Sequence, residues 1–493
     1  MMKKNVGFLL WILLSIFITS CTKTYREADA EKEEEIVPPG ETYTPEQMHN
    51  LNVVYYVPSD ILEIENWHYR LSGMTLHIQN YFHENFMRYR VNKKFGLEVN
   101  EANPEFIRIH YIKSNRRQAE MQEKNASEMA QEVLDYFKQN PEAKQSDHYL
   151  VWMPKYEGAF IKHFYPSDKE GFAFCGVDYT RWNPNYLKSS RAMAAFLTDL
   201  GLVLKTFAHS CFAVNGNVGS DADFMSIMGA NKRERSTAKS QPIYNYKHYA
   251  GTGGSSSSFI AGTPGKIRVP IWDVRYLSGT QLFNEKYSYE PFEVVIEDFK
   301  VKSWAGANFV VENDTARAEV NFVVPQDTLR ITCKFRTEPA DVELAGVTLF
   351  DDPWLTYDVT GKRDSKMDED EMEDTGFDAY GMYMDAVSFT KEGDCHVVEF
   401  VYPMVNHLNM LLTETSVSTE THELRLRFIG KNGMAYPHAP RSIKGVKEMR
   451  YKYKVTGVRA QTKPVEVPYY QKHDIAEKDF YGGTWGEIVE GME

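Results

Sequence analysis

The chain has 493 residues, more than one hydrophobic core organises, so two or three domains are expected. An apolar share of 42% and a charged share of 25% are those of a globular protein and exclude a wholly disordered chain. A net charge of −13 argues against the basic surface that nucleic-acid binding needs.

Lys3 and Lys4 precede an apolar run over residues 6–18, short for a bilayer-spanning helix, and the run ends in Ile18-Thr19-Ser20-Cys21. This is the layout of an export signal. It resembles a bacterial lipobox, in which cleavage leaves the cysteine as a lipidated first residue. Residues 1–20 are thus read as a lipoprotein signal peptide and Cys21 as the lipidation site, against an ordinary secretory signal with an incidental cysteine. Loss of Lys3 and Lys4, two positive charges, moves the net charge from −13 to −15.

Residues 21–48 hold no apolar period; Glu31-Lys32-Glu33-Glu34-Glu35 and Pro38-Pro39-Gly40 read as a solvated tether. Its acidic stretch is similar to surface-export signals of Bacteroidetes lipoproteins, or is a plain spacer. The expected location is the cell envelope, as an outer-membrane lipoprotein with the membrane as partner.

From 49 to 286 strand and helix patterns alternate, which predicts an α+β or α/β domain. Strands are predicted at 51–57, 106–112, 148–153 and 171–176. A helix over 69–93 carries Leu71, Met74, Ile78, Phe82 and Met87 at helical spacing, and a second over 128–139 stops at Asn140-Pro141. A third, over 190–208, has Ser189 or Ser190 as its cap and Met193, Phe196, Leu197, Leu200, Leu204 and Phe207 as its core face. Residues 251–258, Gly-Thr-Gly-Gly-Ser-Ser-Ser-Ser, are a loop by composition and lack the spacing of a phosphate cradle. A helix over 271–277 closes the domain.

From 287 to 458 the pattern is all β. Short alternating runs at 292–299, 318–324, 329–335, 342–349, 384–389, 396–401 and 424–428 predict a β-sandwich. Lys431-Asn432-Gly433 signals a tight turn, 364–374 an acidic insertion, and 459–493 a tail. A break near 286–291 predicts two independently folding units. In an exported chain Cys175 with Cys211, and Cys333 with Cys395, are disulfides or buried thiols.

The third helix carries the functional signal. Residues 200–211 read Leu-Gly-Leu-Val-Leu-Lys-Thr-Phe-Ala-His-Ser-Cys, and 226–230 read Ser-Ile-Met-Gly-Ala. The domain resembles secreted metzincin-like zinc metallopeptidases of bacteria, whose H-E-x-x-H-x-x-G-x-x-H helix is followed by a Met turn. In that family two histidines one helical turn apart and a third beyond a glycine bend bind zinc, and the glutamate is the general base. Laid on this chain, the resemblance puts Gly201, Lys205 and Cys211 at the ligand positions, Leu202 at the base and Ala208 at the bend. Met228 takes the Met-turn position.

Gly201 has no side chain to donate, Leu202 accepts no proton, and Lys205 coordinates only when neutral. The resemblance therefore implies no catalytic residue and no metal ligand set, and a non-catalytic binding or scaffold protein for peptide or glycan. Two alternatives stand: an active zinc metallopeptidase with substituted ligands, and a lipoprotein that captures glycan through its β domain. Weaker signals are His209, Cys211, Asp221 and Asp223 as mixed metal donors, His83-Glu84 as a fragment of H-E-x-x-H, a cysteine–histidine nucleophile pair, and 367–374 as a carboxylate loop for Ca²⁺. Each reads better as ordinary helix, core or solvated loop.

Overall fold

The computed structural model describes residues 36–181, 194–214, 225–228, 267–303, 320–323, 328–353, 382–403, 419–438 and 450–456. The expected signal peptide, Cys21, the Gly/Ser loop at 251–258, Asp221, Asp223, the acidic run at 367–374 and the tail lie outside them. All that follows concerns Pro38–Glu493, one unit by its internal contacts.

The first half is built as β1 (Tyr43–Pro45), β2 (Asn52–Val57), α1 (Trp67–Met87), β3 (Glu98–Asn100), β4 (His110–Lys113), α2 (Ala126–Gln139), β5 (His148–Pro154), β6 (Ile161–Phe164), β7 (Gly171–Val177), α3 (Ala194–Ser210), β8 (Met225–Ser226), β9 (Ile267–Arg268) and α4 (Ile271–Gly279). Five strands form one sheet in the order β4-β2-β5-β7-β6; the first four are parallel and β6 runs antiparallel along the edge. Every residue of β2, β5 and β7 is buried, as expected of parallel strands covered on both faces. The period of two divides them. Val53, Tyr55, Leu150 and Trp152 face α1 and α3, with Leu71, Met74, Ile78, Phe82, Leu204 and Phe207. Val54, Tyr56, Tyr149 and Val151 face α2, with Met129, Val133 and Phe137.

Helix α1 ends six residues before the predicted end. Arg90 turns left-handed at φ 59°, Val91 N–H donates back to Phe86 O at 3.1 Å, and the chain returns Phe95 and Leu97 to the core. Of the strand expected at 106–112 only the C-terminal part pairs regularly, as β4. The folded unit includes β1, within the stretch read as tether, paired antiparallel with β3.

The second half consists of β10 (Glu293–Ser303), β11 (Val320–Val323), β12 (Thr328–Glu338), β13 (Leu344–Pro353), β14 (Met382–Asp385), β15 (Ser388–Glu392), β16 (Cys395–Pro403), β17 (Thr419–Gly430), β18 (Ala435–Tyr436) and β19 (Arg450–Thr456). One sheet runs β10-β12-β16-β15, the other β11-β19-β17-β13-β14 with β18 beside β17. Leu329, Ile331, Cys333 and Phe335 of the first sheet meet Val347, Leu349, Leu426 and Phe428 of the second in one core. An α+β domain followed by a β-sandwich is therefore the architecture, as the sequence predicted.

The outer face of the second sheet is not solvated. Ala345, Phe350, Ile429 and Ala435 join the core of the first half, and α4 is buried along its whole length against it. One close approach is glycine on glycine. Gly433 has φ +82°, and a Cβ there would stand 2.0 Å from Gly279 O. Gly433→Ala would combine left-handed strain with a backbone clash. The expected loss is on the order of 3 kcal/mol, read as a lower urea midpoint with unchanged m-value.

The four cysteines described are free thiols. Cys333 stands opposite Val398, three residues beyond Cys395 in the β16 register. At ~3.3 Å per residue that offset is about 10 Å, beyond the reach of a disulfide. Cys175 and Cys211 are both fully buried, and burial pushes both thiols up, Cys211 to about 12.

Candidate functional site

Helix α3 lies beside β6 and β7, and its C-terminal end is held by donors from distant parts of the chain. The last carbonyls of a helix have no intrahelical partner. Here Tyr165 Oη donates to His209 O at 2.5 Å, His148 Nδ1 donates to Ser210 O at 2.9 Å, and Arg427 Nη2 donates to Phe212 O at 3.0 Å. Gly171, at the start of β7, admits the Ser210 carbonyl; a Cβ there would fall 1.7 Å from the oxygen.

Phe212 closes the helix in the left-handed conformation at φ 62°, unusual for a bulky residue. Its ring is stacked on Tyr165 at 4.8 Å and lies 4.6 Å from His438. Packing on both sides thus holds a backbone geometry that costs of order 1–3 kcal/mol.

The turn carrying Met228 is fixed separately. β8 and β9 pair in parallel, Ile227 N–H donates to Arg268 O at 2.9 Å, and Met228 N–H donates to Ser226 Oγ at 3.1 Å. Met228 is fully buried. The helix and this turn meet where Lys205 Nζ donates to Met228 O at 3.2 Å.

The motif positions fall as follows. Gly201 and Ala208 are buried; Leu202 and Lys205 are half-buried. Cys211 is fully buried in the apolar core just past the helix end. The structure joins Lys205 to Met228; Cys211 instead serves as core beside Phe207 and Phe212. Of the mixed-donor set, His209 points its Nδ1 at Ala213 O (2.8 Å) and packs its ring on His163 at 4.4 Å. His83 donates through Nδ1 to Lys93 O at 3.1 Å, a helix-face role. Among the described residues no group of three or more His, Cys, Asp or Glu side chains is gathered as a metal site.

Sequence patterns alone pass over the charges around this helix. Asp273 of α4 is 2% exposed, and its Oδ2 has no hydrogen-bond partner among the described residues. Burial pushes its carboxyl up to about 8, against the opposing pull of Arg427 and Lys205. Arg427 of β17, also buried, stacks its guanidinium 4.2 Å from the centre of the Tyr276 ring. Arg275 pairs with Asp385 at 2.6 Å across the same seam. The available signal was Arg425 and Arg427 alternating with Leu424, Leu426 and Phe428: an ordinary polar outer face by pattern, yet these two arginines are buried. A surface cavity of about 530 Å³ opens elsewhere, with Lys93, Lys286 and Lys431 balanced by Glu290, Asp341 and Glu343; no residue of α3 lines it.

No family model and no curated protein matches the chain. Solved structures do. Wild-type OgpA from Akkermansia muciniphila superposes with a TM-score of 0.53 at 13% identity, over 87% of this chain and 98% of that one. Catalytically inactive OgpA from the same organism, in complex with an O-glycopeptide (glycodrosocin) substrate, gives 0.54 at 14% identity, over 87% and 97%. The likeness spans both halves of the chain and establishes a shared fold.

Proposed function

We propose that this protein is an exported, membrane-anchored lipoprotein that binds peptide or glycan beside α3 and does not cleave it by zinc hydrolysis. The observation that carries the reading is Lys205, whose ammonium bonds the Met228 carbonyl at the position where the motif calls for an imidazole. The residues present do not fit zinc. A catalytic site needs about three protein ligands and an open position, and Gly201, Lys205 and the core-buried Cys211 offer none. Leu202 supplies no base, and loss of a base alone costs ~10²–10⁴ in rate.

Two observations support a ligand of this kind. The structural neighbour OgpA takes an O-glycopeptide, which presents both peptide and sugar. In this chain β6 lies at the sheet edge beside α3, and edge strands take up extended peptides by backbone pairing.

Purified mature protein is expected to carry far less than about one zinc per chain. It should bind O-glycopeptides saturably and leave them intact, with or without chelator, and Lys205→His should not create cleavage. Metal analysis, a binding titration and mass spectrometry of the recovered peptides check this. Stoichiometric zinc with chelator-sensitive cleavage that Cys211→Ala abolishes would establish the substituted-ligand peptidase instead. Free glycan binding as tightly as the glycopeptide would move the site to the sandwich.

The anchoring reading has its own test. Cys21→Ser is expected to leave the protein unprocessed or to release it from the membrane fraction, since stable attachment needs the acyl chains. Unchanged processing and fractionation would remove the lipoprotein assignment.

A further inference from the structure

The mismatch between the helix and a metal has a structural counterpart. A metal at the motif positions of α3 would place a positive charge near the turn at Met228. Lys205 places its own charge there and also bonds the turn. It stands on α3, half-buried, with its Nζ on the Met228 carbonyl. The turn itself is positioned by the β8–β9 pairing and the Ser226 hydroxyl, so its carbonyl is presented without help from α3.

The surrounding charges answer to a cation at this point. Asp273, on the third element packed here, feels Lys205 and Arg427 as its two opposing charges. His163, on β6, is disfavoured as a cation first by burial and then by Lys205. Tyr276 and His438 both feel Arg427, Tyr276 also feels Cys211, and Arg275 of the same helix α4 pairs with Asp385 of β14.

We propose that Lys205 is a resident, protein-supplied cation that cross-links α3 to the Met228 turn, with Asp273 and Arg427 completing its charged surround, so that the site holds together without metal. A long lysine side chain is suited to such a link, because its methylenes lie along the core while the ammonium reaches a polar group. A hydrogen bond from a charged donor to a partly buried carbonyl is stronger than a neutral one. The inference rests on the metal-free part of the proposed function and not on what the protein binds; the denaturation curves test it apart from ligand binding.

The test is a set of denaturation curves on the full mature chain. Lys205→Met should raise the unfolding equilibrium constant about tenfold to a hundredfold, while Lys205→Arg, which keeps the charge, recovers at least half of the shift in midpoint. A buried Asp273 carboxyl held above its unfolded value makes stability fall as pH rises toward about 8; because Lys205 opposes that upward push, Lys205→Met should also extend the fall to higher pH. Asp273→Asn should abolish that extension. A chelator should leave the wild-type midpoint unchanged. Wild-type stability in Lys205→Met, or failure of Lys205→Met and Lys205→Arg alike, would overturn the proposal, since neither outcome reports on charge. A midpoint lowered by chelator would overturn it too, because a metal would then be the cross-link.

Discussion

Arg427→Ala is expected to lower the folding stability by about 3–5 kcal/mol, the upper range for truncating a large buried side chain. Arg427 is 2% exposed, among the largest side chains that are fully buried. Its removal opens a cavity between β17 and α4 and strips the Tyr276 ring of its cation. It also orphans the Phe212 carbonyl, which closes α3 in a left-handed geometry. Arg427→Met separates the two effects. It keeps most of the volume and loses the hydrogen bond, for about 1–3 kcal/mol. The measurement is urea denaturation of both variants followed by tryptophan fluorescence. Equal midpoints for Arg427→Ala and wild type would mean that the seam between the two halves does not hold α3 in place.

The second expected result is a stability maximum near pH 6.5 with a fall on either side. His110 and His148 are 6% and 4% exposed, and burial first, with nearby positive charge second for His110, holds each at about 4. Unfolded, each titrates near 6.5. Between those values the unfolded chain binds more protons, so their stabilising effect is complete above about pH 6.5 and is lost as the pH falls toward about 4. Asp273 has the opposite sign. Its folded value of about 8 lies above the unfolded one, so the folded chain binds the extra proton, and stability falls as pH rises from about 4 to about 8.

Burial holds His77 and His163 at about 4 as well, so below pH 6.5 four histidines outweigh the one carboxyl; above it the carboxyl sets the slope. From these five groups the acid limb has a net slope of about three protons, four less one, or about 4 kcal/mol per pH unit, and the alkaline limb of about one, or about 1.4 kcal/mol per pH unit. Asp273→Asn should flatten the alkaline limb and steepen the acid one. Denaturation midpoints at pH 5, 6.5 and 8 decide it; a wild-type midpoint still rising from pH 6.5 to 8 would contradict the buried state of Asp273.

Much of this molecule is local, and local features are legible in the residues. The period of two in Leu329, Ile331, Cys333 and Phe335 announces a half-buried strand. The spacing of Leu200, Leu204 and Phe207 announces a helix face, and all three are buried as that spacing requires. That Gly201 can donate no ligand and Leu202 accept no proton is visible without any coordinates, because chemistry that is absent from a residue type is absent in every fold.

Other features arise only when distant segments meet. Strand β6 is four residues long, half-buried but for the exposed Lys162, too short to show a period; its partner β7 makes it a strand. Cys333 and Cys395 looked pairable until the β12–β16 register set them out of reach of each other. Asp273, Lys205 and Arg427 belong to three elements far apart in the chain, and no spacing rule connects them. The sequence by itself determined the α+β domain, the sandwich after it, and a helix with glycine, leucine and lysine at 201, 202 and 205, because each rests on side-chain period or identity over a few residues. Only the tertiary structure decided that the outer face of the second sheet is interior, that Arg427 closes α3, and that Lys205 reaches Met228, because each depends on which surfaces are removed from water together.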